Sequence, residues 1–394
     1  MIRTLDDLDA EGAAVGVRVD INSPVAPDGT LDDDSRLRAH VETLDELAAR
    51  GARVAVLAHQ GRPGGDDFTS LADHAERLSA LLDAPVEYVD ATFSAAARER
   101  VRSLADGSVL VLENTRFYSE EVMQFPPAEA ASTHLVAGLA PVLDAYVNDA
   151  FAAAHRSQPS IVGFPEHLPG YAGRVMEREL DALGDIASTP TPRVYCLGGA
   201  KVDDSIGVAS TVLESGLADV VLTAGVVGNA FLHATGVDLG PESTRVLTDR
   251  AGDRLAQAEE LLDTYGDRLH VPLDVAVERD GERVEVSVED LPVPEPAMDV
   301  GSATVAAYGD VLANAGTGIL NGPAGVFEEE RFAVGTRGLF EGATAADYTI
   351  VGGGDTASAI RRLGLSGFDH VSTGGGAALA MLTGESLPAV EALR

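Results

Sequence analysis

Short runs of β-branched and other apolar residues alternate along the chain with longer segments in which Ala and Leu recur among Glu and Arg. The short runs read as strands: Ala14–Asp20, Arg53–Ala58, Ser108–Leu112, Ala145–Val147, Arg193–Leu197, Asp219–Thr223, Arg268–Val271, Gly318–Leu320, Tyr348–Val351 and Asp369–Val371. The longer ones read as helices, as at Ser35–Arg50, Ser70–Leu82, Pro127–Leu139 and Thr248–Thr264. Strand, helix and strand in regular succession predict parallel sheets covered by helices on both faces. The rhythm breaks after about residue 170. Gly170–Ser188 reads as a helix in which Arg174, Glu177, Arg178 and Glu179 alternate with Val175, Met176, Leu180 and Leu183, and Thr189-Pro190-Thr191-Pro192 stops it. The expected fold class is α/β, with two doubly wound, Rossmann-like parallel-sheet domains over 1–170 and 189–376 and a helical hinge over 171–188. Asp280–Val300, rich in Glu, Val and Pro, reads as an antiparallel excursion within the second domain.

Composition narrows this picture. A chain of 394 residues that is 45% apolar has core for two or three domains, which excludes wholesale disorder. The lone Cys196 can form neither an intrachain disulfide nor a Cys-rich metal cluster. The opening Met1–Asp7 is acidic without an apolar stretch, and no run of about 18 apolar residues occurs anywhere. The expectation is a soluble, cytoplasmic protein. With 28 basic against 63 acidic residues the net charge is −35, a surface that repels nucleic acid and anionic lipid, so neither is an expected partner. All but one of the cations are arginine; the only lysine is Lys201. Excess carboxylate with almost no lysine suits a halophilic protein, because in molar salt the screening length falls to roughly 3 Å and self-repulsion vanishes. A GC-rich genome exchanging Lys for Arg is the plainer alternative.

The unusual residues fall where open α/β sheets bind ligands, at the carboxyl ends of strands. In Arg18-Val19-Asp20-Ile21-Asn22, alternation puts Arg18, Asp20 and Asn22 on one face. The next strand ends are His59-Gln60-Gly61-Arg62, Glu113-Asn114-Thr115-Arg116 and Asn148-Asp149-Ala150-Phe151, with His155-Arg156 just beyond. Arginines at successive strand ends point to an anion with several oxygens, since guanidinium forks bind carboxylate and phosphate in pairs. In the second half the strand ends carry glycine instead: Gly198-Gly199-Ala200-Lys201, Gly225–Asn229, Asn321-Gly322-Pro323-Ala324-Gly325, Gly352-Gly353-Gly354-Asp355-Thr356 and Thr373-Gly374-Gly375-Gly376. Such turns let phosphate approach backbone N–H groups at helix starts, pointing to a polyphosphate or nucleotide. Lys201 suits a phosphate oxygen. Asp355 suits Mg²⁺, which takes one or two carboxylates plus phosphate oxygens; a helix N-cap is its alternative reading. A Walker loop, a GxGxxG after the first strand of either half, a kinase catalytic loop, HExxH and GxSxG are all missing.

From Arg18-Val19-Asp20 to Ser372-Thr373-Gly374-Gly375-Gly376 these motifs resemble, in order, those of the phosphoglycerate kinase family, and the acidic composition resembles a haloarchaeal member. The resemblance implies two domains facing a cleft, with the tail 377–394 returning to the first. It implies a transferase of glycolysis, a kinase that reversibly moves a phosphoryl group from 1,3-bisphosphoglycerate to ADP, with Mg²⁺ as cofactor and a monomer as the working form. By motif, 3-phosphoglycerate falls to Arg18, Asp20, Asn22, Arg36, His59, Arg62, Arg116 and Arg156. ADP or ATP falls to Gly198, Gly199, Lys201, Asn321, Gly322, Gly325, Glu328 (on the ribose), Gly353, Gly354, Asp355 (also the metal ligand) and Thr356. Charge neutralisation during transfer falls to Arg36, Lys201 and the amides at Gly374, Gly375 and Gly376. No general base is needed, because both acceptors are already ionised at neutral pH, and hinge bending closes the cleft. This chain departs from the family at Ser205, where a second lysine is common, and at Gln158, where a histidine is. A Rossmann-type oxidoreductase and a silent phosphate-binding protein are the rivals. The first lacks its fingerprint, and the second does not explain two complete motif sets.

The halophilic reading predicts that dialysis from molar salt into dilute buffer unfolds the protein. A circular-dichroism melt that is the same in both buffers rejects it.

Overall fold

The computed structural model describes residues 2–26, 29–251 and 254–394, and the chain divides into two compact units. The first comprises Met1–Asp181 with Glu385–Arg394, the second Ala182–Gly384.

The sheet of the first unit contains β1 (Ala14–Arg18), β2 (Arg53–Leu57), β3 (Val86–Tyr88), β4 (Val109–Val111), β5 (Ala145–Asn148) and β6 (Gly170–Ala172). All neighbours are parallel, in the order β3-β4-β2-β1-β5-β6. The chain moves outward from β1 in one direction and later returns to add β5 on its other side. Right-handed crossovers then place helices on opposite faces, as double winding requires. The inner strands β1, β4 and β5 are buried along their whole length, the signature of a sheet covered twice.

The second unit repeats the plan. Its main sheet begins with β7 (Arg193–Leu197), β8 (Val220–Thr223) and β9 (Leu269–His270). A small antiparallel sheet follows, β10 (Asp274–Arg279), β11 (Glu282–Ser287) and β12 (Asp299–Val300), whose hairpin turns at Asp280-Gly281 with both φ positive, 53° and 83°. The main sheet is completed by β13 (Thr317–Asn321), β14 (Tyr348–Gly352) and β15 (His370–Val371), giving the parallel order β15-β14-β13-β7-β8-β9. Winding reverses between β7 and β13, so the loops after these two strands lie side by side.

Each strand-like run of the sequence contains a strand. The unforeseen β3 and β6 are three-residue edge strands, too short to show a period. Gly170–Ala172 therefore belongs to the sheet, beside Tyr146–Asn148, and the connecting helix starts only at Arg174 and runs to Leu183. The expected helix Ser35–Arg50 is interrupted at His40, and Pro127–Leu139 is two short helices around an extended Thr133. The expected Thr248–Thr264 spans the end of Pro241–Ala251 and most of Leu255–Tyr265, with residues 252–253 outside the described set. The expected antiparallel excursion begins earlier, at Asp274.

The end of the chain is shared between the units. The helix Gly376–Leu382 belongs to the second, where the Tyr195 hydroxyl donates to Leu382 O at 2.9 Å, so the returning segment is 385–394 rather than 377–394. In the first unit Leu387, Ala389, Val390 and Leu393 are buried, and Ala389 N–H donates to Ala154 O at 3.1 Å. Burying three large aliphatic side chains at roughly 1.5–3 kcal/mol each makes this segment part of the first core. Deleting residues 385–394 should lower the urea midpoint of the first unit clearly. An unchanged midpoint would show that the segment is not part of that core.

Candidate functional site

In the first unit the arginines that end the strands meet. Arg18 leaves β1 into the protein and is fully buried. Its Nε donates to Ser160 Oγ at 2.9 Å, another N–H reaches Val19 O, and Nη2 donates to His59 Nδ1 at 2.8 Å. Ser160 is itself held by the buried Glu121, whose two oxygens accept its N–H at 2.6 Å and its hydroxyl at 2.7 Å. Arg18 is thus engaged on the protein side and orients His59.

Burial depresses His59 well below the ordinary imidazole range, and the guanidinium groups of Arg18, Arg116, Arg156 and Arg36 push it the same way. It is neutral, and because Nδ1 accepts from Arg18 its proton sits on Nε2. Arg116 donates to Gly61 O at 2.7 Å and is pulled down to about 10 by burial, then by Arg156, Arg18 and Arg62. Arg156 is lowered by burial, with Asp20 opposing and Arg18, Arg62 and Arg36 reinforcing. Arg18 and Arg62 thus crowd both Arg116 and Arg156, while Arg36 pairs with Asp20. Asn22 accepts Gly61 N–H at 2.8 Å and fixes the loop that carries the exposed Arg62. The structure therefore brings together Arg18, Asp20, Asn22, Arg36, His59, Arg62, Arg116 and Arg156.

Gln60 and Asn114 lock the loops behind them. Gln60 bonds Ser23 N–H and C=O, both at 2.9 Å, and Asn114 donates to Gln60 O at 2.8 Å. Sequence reasoning passed over Ser160 and Glu121, which carry no strand-end signal. Gln60, Asn114 and Asp149 stood in the strand-end motifs as undistinguished neighbours. Gln158 is buried at the start of the helix Pro159–Val162, not offered to a ligand.

In the second unit the loops at the winding reversal interlock through backbone alone. Gly198 N–H donates to Asn321 O at 2.8 Å and Gly199 N–H to Pro323 O at 2.7 Å. A Cβ on Gly322, at φ 91°, would lie 2.3 Å from Gly198 O, and one on Gly198 would lie 2.5 Å from Pro323 O. No side chain fits between these two strand ends. Thr356 Oγ1 accepts Gly322 N–H at 2.8 Å, tying the third loop to the second. Gly198, Gly199, Lys201, Asn321, Gly322, Gly353, Gly354, Asp355, Thr356, Gly375 and Gly376 line one hollow. It shares Gly199 and Asp355 with a roomier neighbour of about 280 Å³, lined also by Gly225, Val226, Met298, Gly325 and Glu328. Ser205 lines the first hollow, so the departure from lysine removes a cation from its wall.

Lys201 is the N-cap of the helix Val202–Glu214, and its Nζ stands 3.7 Å from Asp355, both side chains exposed. The N-cap of the helix Gly354–Leu363 is Gly353, which leaves Asp355 in the first turn with an exposed carboxylate that Lys201 approaches in the ion pair above. One exposed carboxylate beside a phosphate cradle is the donor set Mg²⁺ favours, whereas no group of three or more His, Cys, Asp or Glu gathers among the described residues. At the last loop Gly374 N–H already donates to Ser372 Oγ at 3.0 Å, so of the glycines there Gly375 and Gly376 remain to face a ligand.

The profile of the family described as "Phosphoglycerate kinase" matches residues 5–385. Phosphoglycerate kinase of Natronomonas pharaonis is 67% identical, and that of Halobacterium salinarum 65%, each over the full length of both chains. The crystal structure of phosphoglycerate kinase from Pyrococcus horikoshii superposes with a TM-score of 0.93 at 42% identity, covering 100% of this chain and 98% of that one. Among the described residues no helix is long and apolar enough to cross a membrane.

Behind the glycine loops sits a carboxylate that sequence reasoning did not single out. Asp299, at the start of β12, accepts Val300 N–H and Gly335 N–H, both at 2.9 Å, and Arg283 stands 3.6 Å away. Gly325 packs directly on it. Burial outweighs these contacts and pushes its pKa up to about 7. A folded-state value above the unfolded one means that the proton favours folding. That contribution is complete below about pH 4 and is lost as pH rises through about 7. Asp299→Asn should therefore gain Tm relative to the parent between pH 5 and pH 8. A difference in Tm that stays constant across that range would refute the assignment.

Proposed function

The chain belongs to the phosphoglycerate kinase family, and we propose that its two units divide the reaction, the arginine set taking 3-phosphoglycerate and the glycine-opened loops ADP or ATP. The enzyme is a glycolytic phosphotransferase with a carboxyl acceptor. In one direction the bond between phosphorus and the acyl oxygen of 1,3-bisphosphoglycerate breaks and a terminal ADP oxygen takes the phosphoryl group, giving 3-phosphoglycerate and ATP. The observation that carries the division of labour is the crowding of Arg116 and Arg156, both pulled down by burial and by neighbouring guanidinium groups, in a chain of net charge −35. Such a cluster favours a multiply charged anion that neutralises it.

The carboxylate and phosphate of the substrate are both anionic at neutral pH, so binding is charge pairing by Arg36, Arg62, Arg116 and Arg156. Neutral His59 contributes the Nε2 proton, held in place by Arg18. On the nucleotide side the amides of the loops after β7, β13 and β14 and at Gly375–Gly376 receive phosphate oxygens, and Glu328 at the rim takes the ribose hydroxyls. Asp355 would hold Mg²⁺, which when bound neutralises charge on the nucleotide phosphates. During transfer, negative charge develops on the equatorial oxygens of the moving group, and Lys201 and Arg36 meet it from opposite substrates. No side chain needs to move a proton.

Because the two ligand sets belong to different units, the ligands must be brought into contact before transfer, and this gives the helix Arg174–Leu183 the role of hinge. In the same reading the enzyme works as a monomer in the cytoplasm. A coupled assay for ATP formation from 1,3-bisphosphoglycerate and ADP tests the activity, and substitution tests the roles. Lys201→Ala and Arg36→Ala should each lower kcat by about 10²-fold, the usual loss for a preorganised charge donor. A variant that keeps near-full kcat strips that residue of the role.

A further inference from the structure

The break at His40 has no part in substrate binding as described above, yet its side chain is buried and fully engaged. Asp20 N–H donates to His40 Nε2 at 3.0 Å, with the Asp20 carbonyl oxygen 3.2 Å from the same nitrogen. His40 Nδ1 lies 2.6 Å from Asp149 Oδ2. The other oxygen of Asp149 accepts Val175 N–H at 2.8 Å in the first turn of the connecting helix. His40 is 3% exposed and Asp149 not at all. Gly173 sits so close that a Cβ there would lie 2.2 Å from Asp149 Oδ1. At the opposite end of this chain of contacts the Asp20 carboxylate pairs with Arg36.

A second set of bonds runs in parallel. The helix Val41–Ala49, which starts at His40, supplies Thr43 Oγ1 to Arg174 N–H at 3.0 Å and Glu46 to the Arg174 guanidinium through two bonds of 2.8 Å, while Glu42 pairs with Arg178. Arg36, on the helix Ser35–Ala39, and the first turn of the connecting helix are therefore both tied to the one backbone break that His40 holds.

We infer that His40 and Asp149 are positioning residues that link the pairing state of Arg36 to the first turn of the connecting helix. The inference rests on the reading that Arg36 meets 3-phosphoglycerate. An anion with several oxygens competes with Asp20 for the Arg36 guanidinium. As that pair reorganises, Asp20 shifts against His40. His40 and Asp149 are buried and bonded to each other at 2.6 Å, so the displacement passes to the amide of Val175. The carboxylate also favours the positive end of that helix, which makes its placement energetically sensitive.

Hydrogen exchange of the full-length enzyme tests this, read at the amides of Val175 and Met176 with and without 3-phosphoglycerate, beside calorimetric binding of the same ligand. In the parent, ligand should change exchange at these amides. In His40→Ala and in the milder Asp149→Asn, 3-phosphoglycerate should still bind within about threefold, the exchange response should vanish, and kcat should fall about tenfold or more with KM nearly unchanged. Parent enzyme that binds ligand without an exchange response at 175–176 overturns the inference alone, with no variant required. A response that survives intact in a folded variant overturns it too. Failure of the parent to bind 3-phosphoglycerate removes both the functional reading and this inference.

Discussion

Gathering five guanidinium groups at the carboxyl ends of one sheet costs electrostatic energy, and much of the polar structure of the first unit serves to hold them there. Arg116 and Arg156 are depressed by burial and by their neighbours, and His59 is kept neutral by the same field. The recorded braces are neutral oxygens and buried carboxylates that stand behind the cluster: Val19 O and Gly61 O, Ser160 backed by Glu121, and Asp149 behind His40. Glu121 and Asp20 offset only part of this charge, and the remaining positive field is available to a ligand. Elsewhere the protein is overwhelmingly acidic, so this is a local inversion of its surface charge.

The second unit offers an anion different means. Apart from Lys201 its strand ends offer backbone amides, and crowding of the backbone requires glycine at Gly198 and Gly322, the latter also through its φ of 91°. Gly198 and Gly322 touch across the β7–β13 reversal with no room for a methyl group between them. A cradle of amides is rigid and carries partial charges, which suits a nucleotide that must also leave. A cradle of guanidinium groups is strong and fully charged, which suits a small, highly charged acid. Sequence changes act differently on the two sides: Ser205 removes a charge from the wall of the nucleotide hollow while the backbone cradle beside it keeps its bonds.

Most of what the sheets present was readable because strand ends concentrate chemistry. The motifs at residues 18–22, 59–62 and 113–116 of the first unit and 198–201 of the second each follow a run that proved to be a strand, and within each unit the loops gather at the strand ends. Reading was poorest where meaning depends on a partner distant in the chain. Ser160 and Glu121 matter only because Arg18 lies between them and His59. Asp299 matters only because it is walled in behind Gly325. His40 looked like one more position in a helix from Ser35 to Arg50, and the break there exists because Asp20 and Asp149, 20 and 109 residues away, claim its ring.

Period and composition, which are local properties, determined the α/β class, the order of the elements, the two halves and the residues offered to anions. A five-residue strand or a Gly-Gly-Ala-Lys turn carries its own signal, whatever surrounds it. Tertiary structure alone decided which of those groups are free and which are spent. Arg18 is occupied as a brace by Ser160, 142 residues away, and the ring of His40 by Asp149, 109 residues away. Whether a group still has a proton or an unshared lone pair to offer depends on long-range packing, and no sequence interval encodes it.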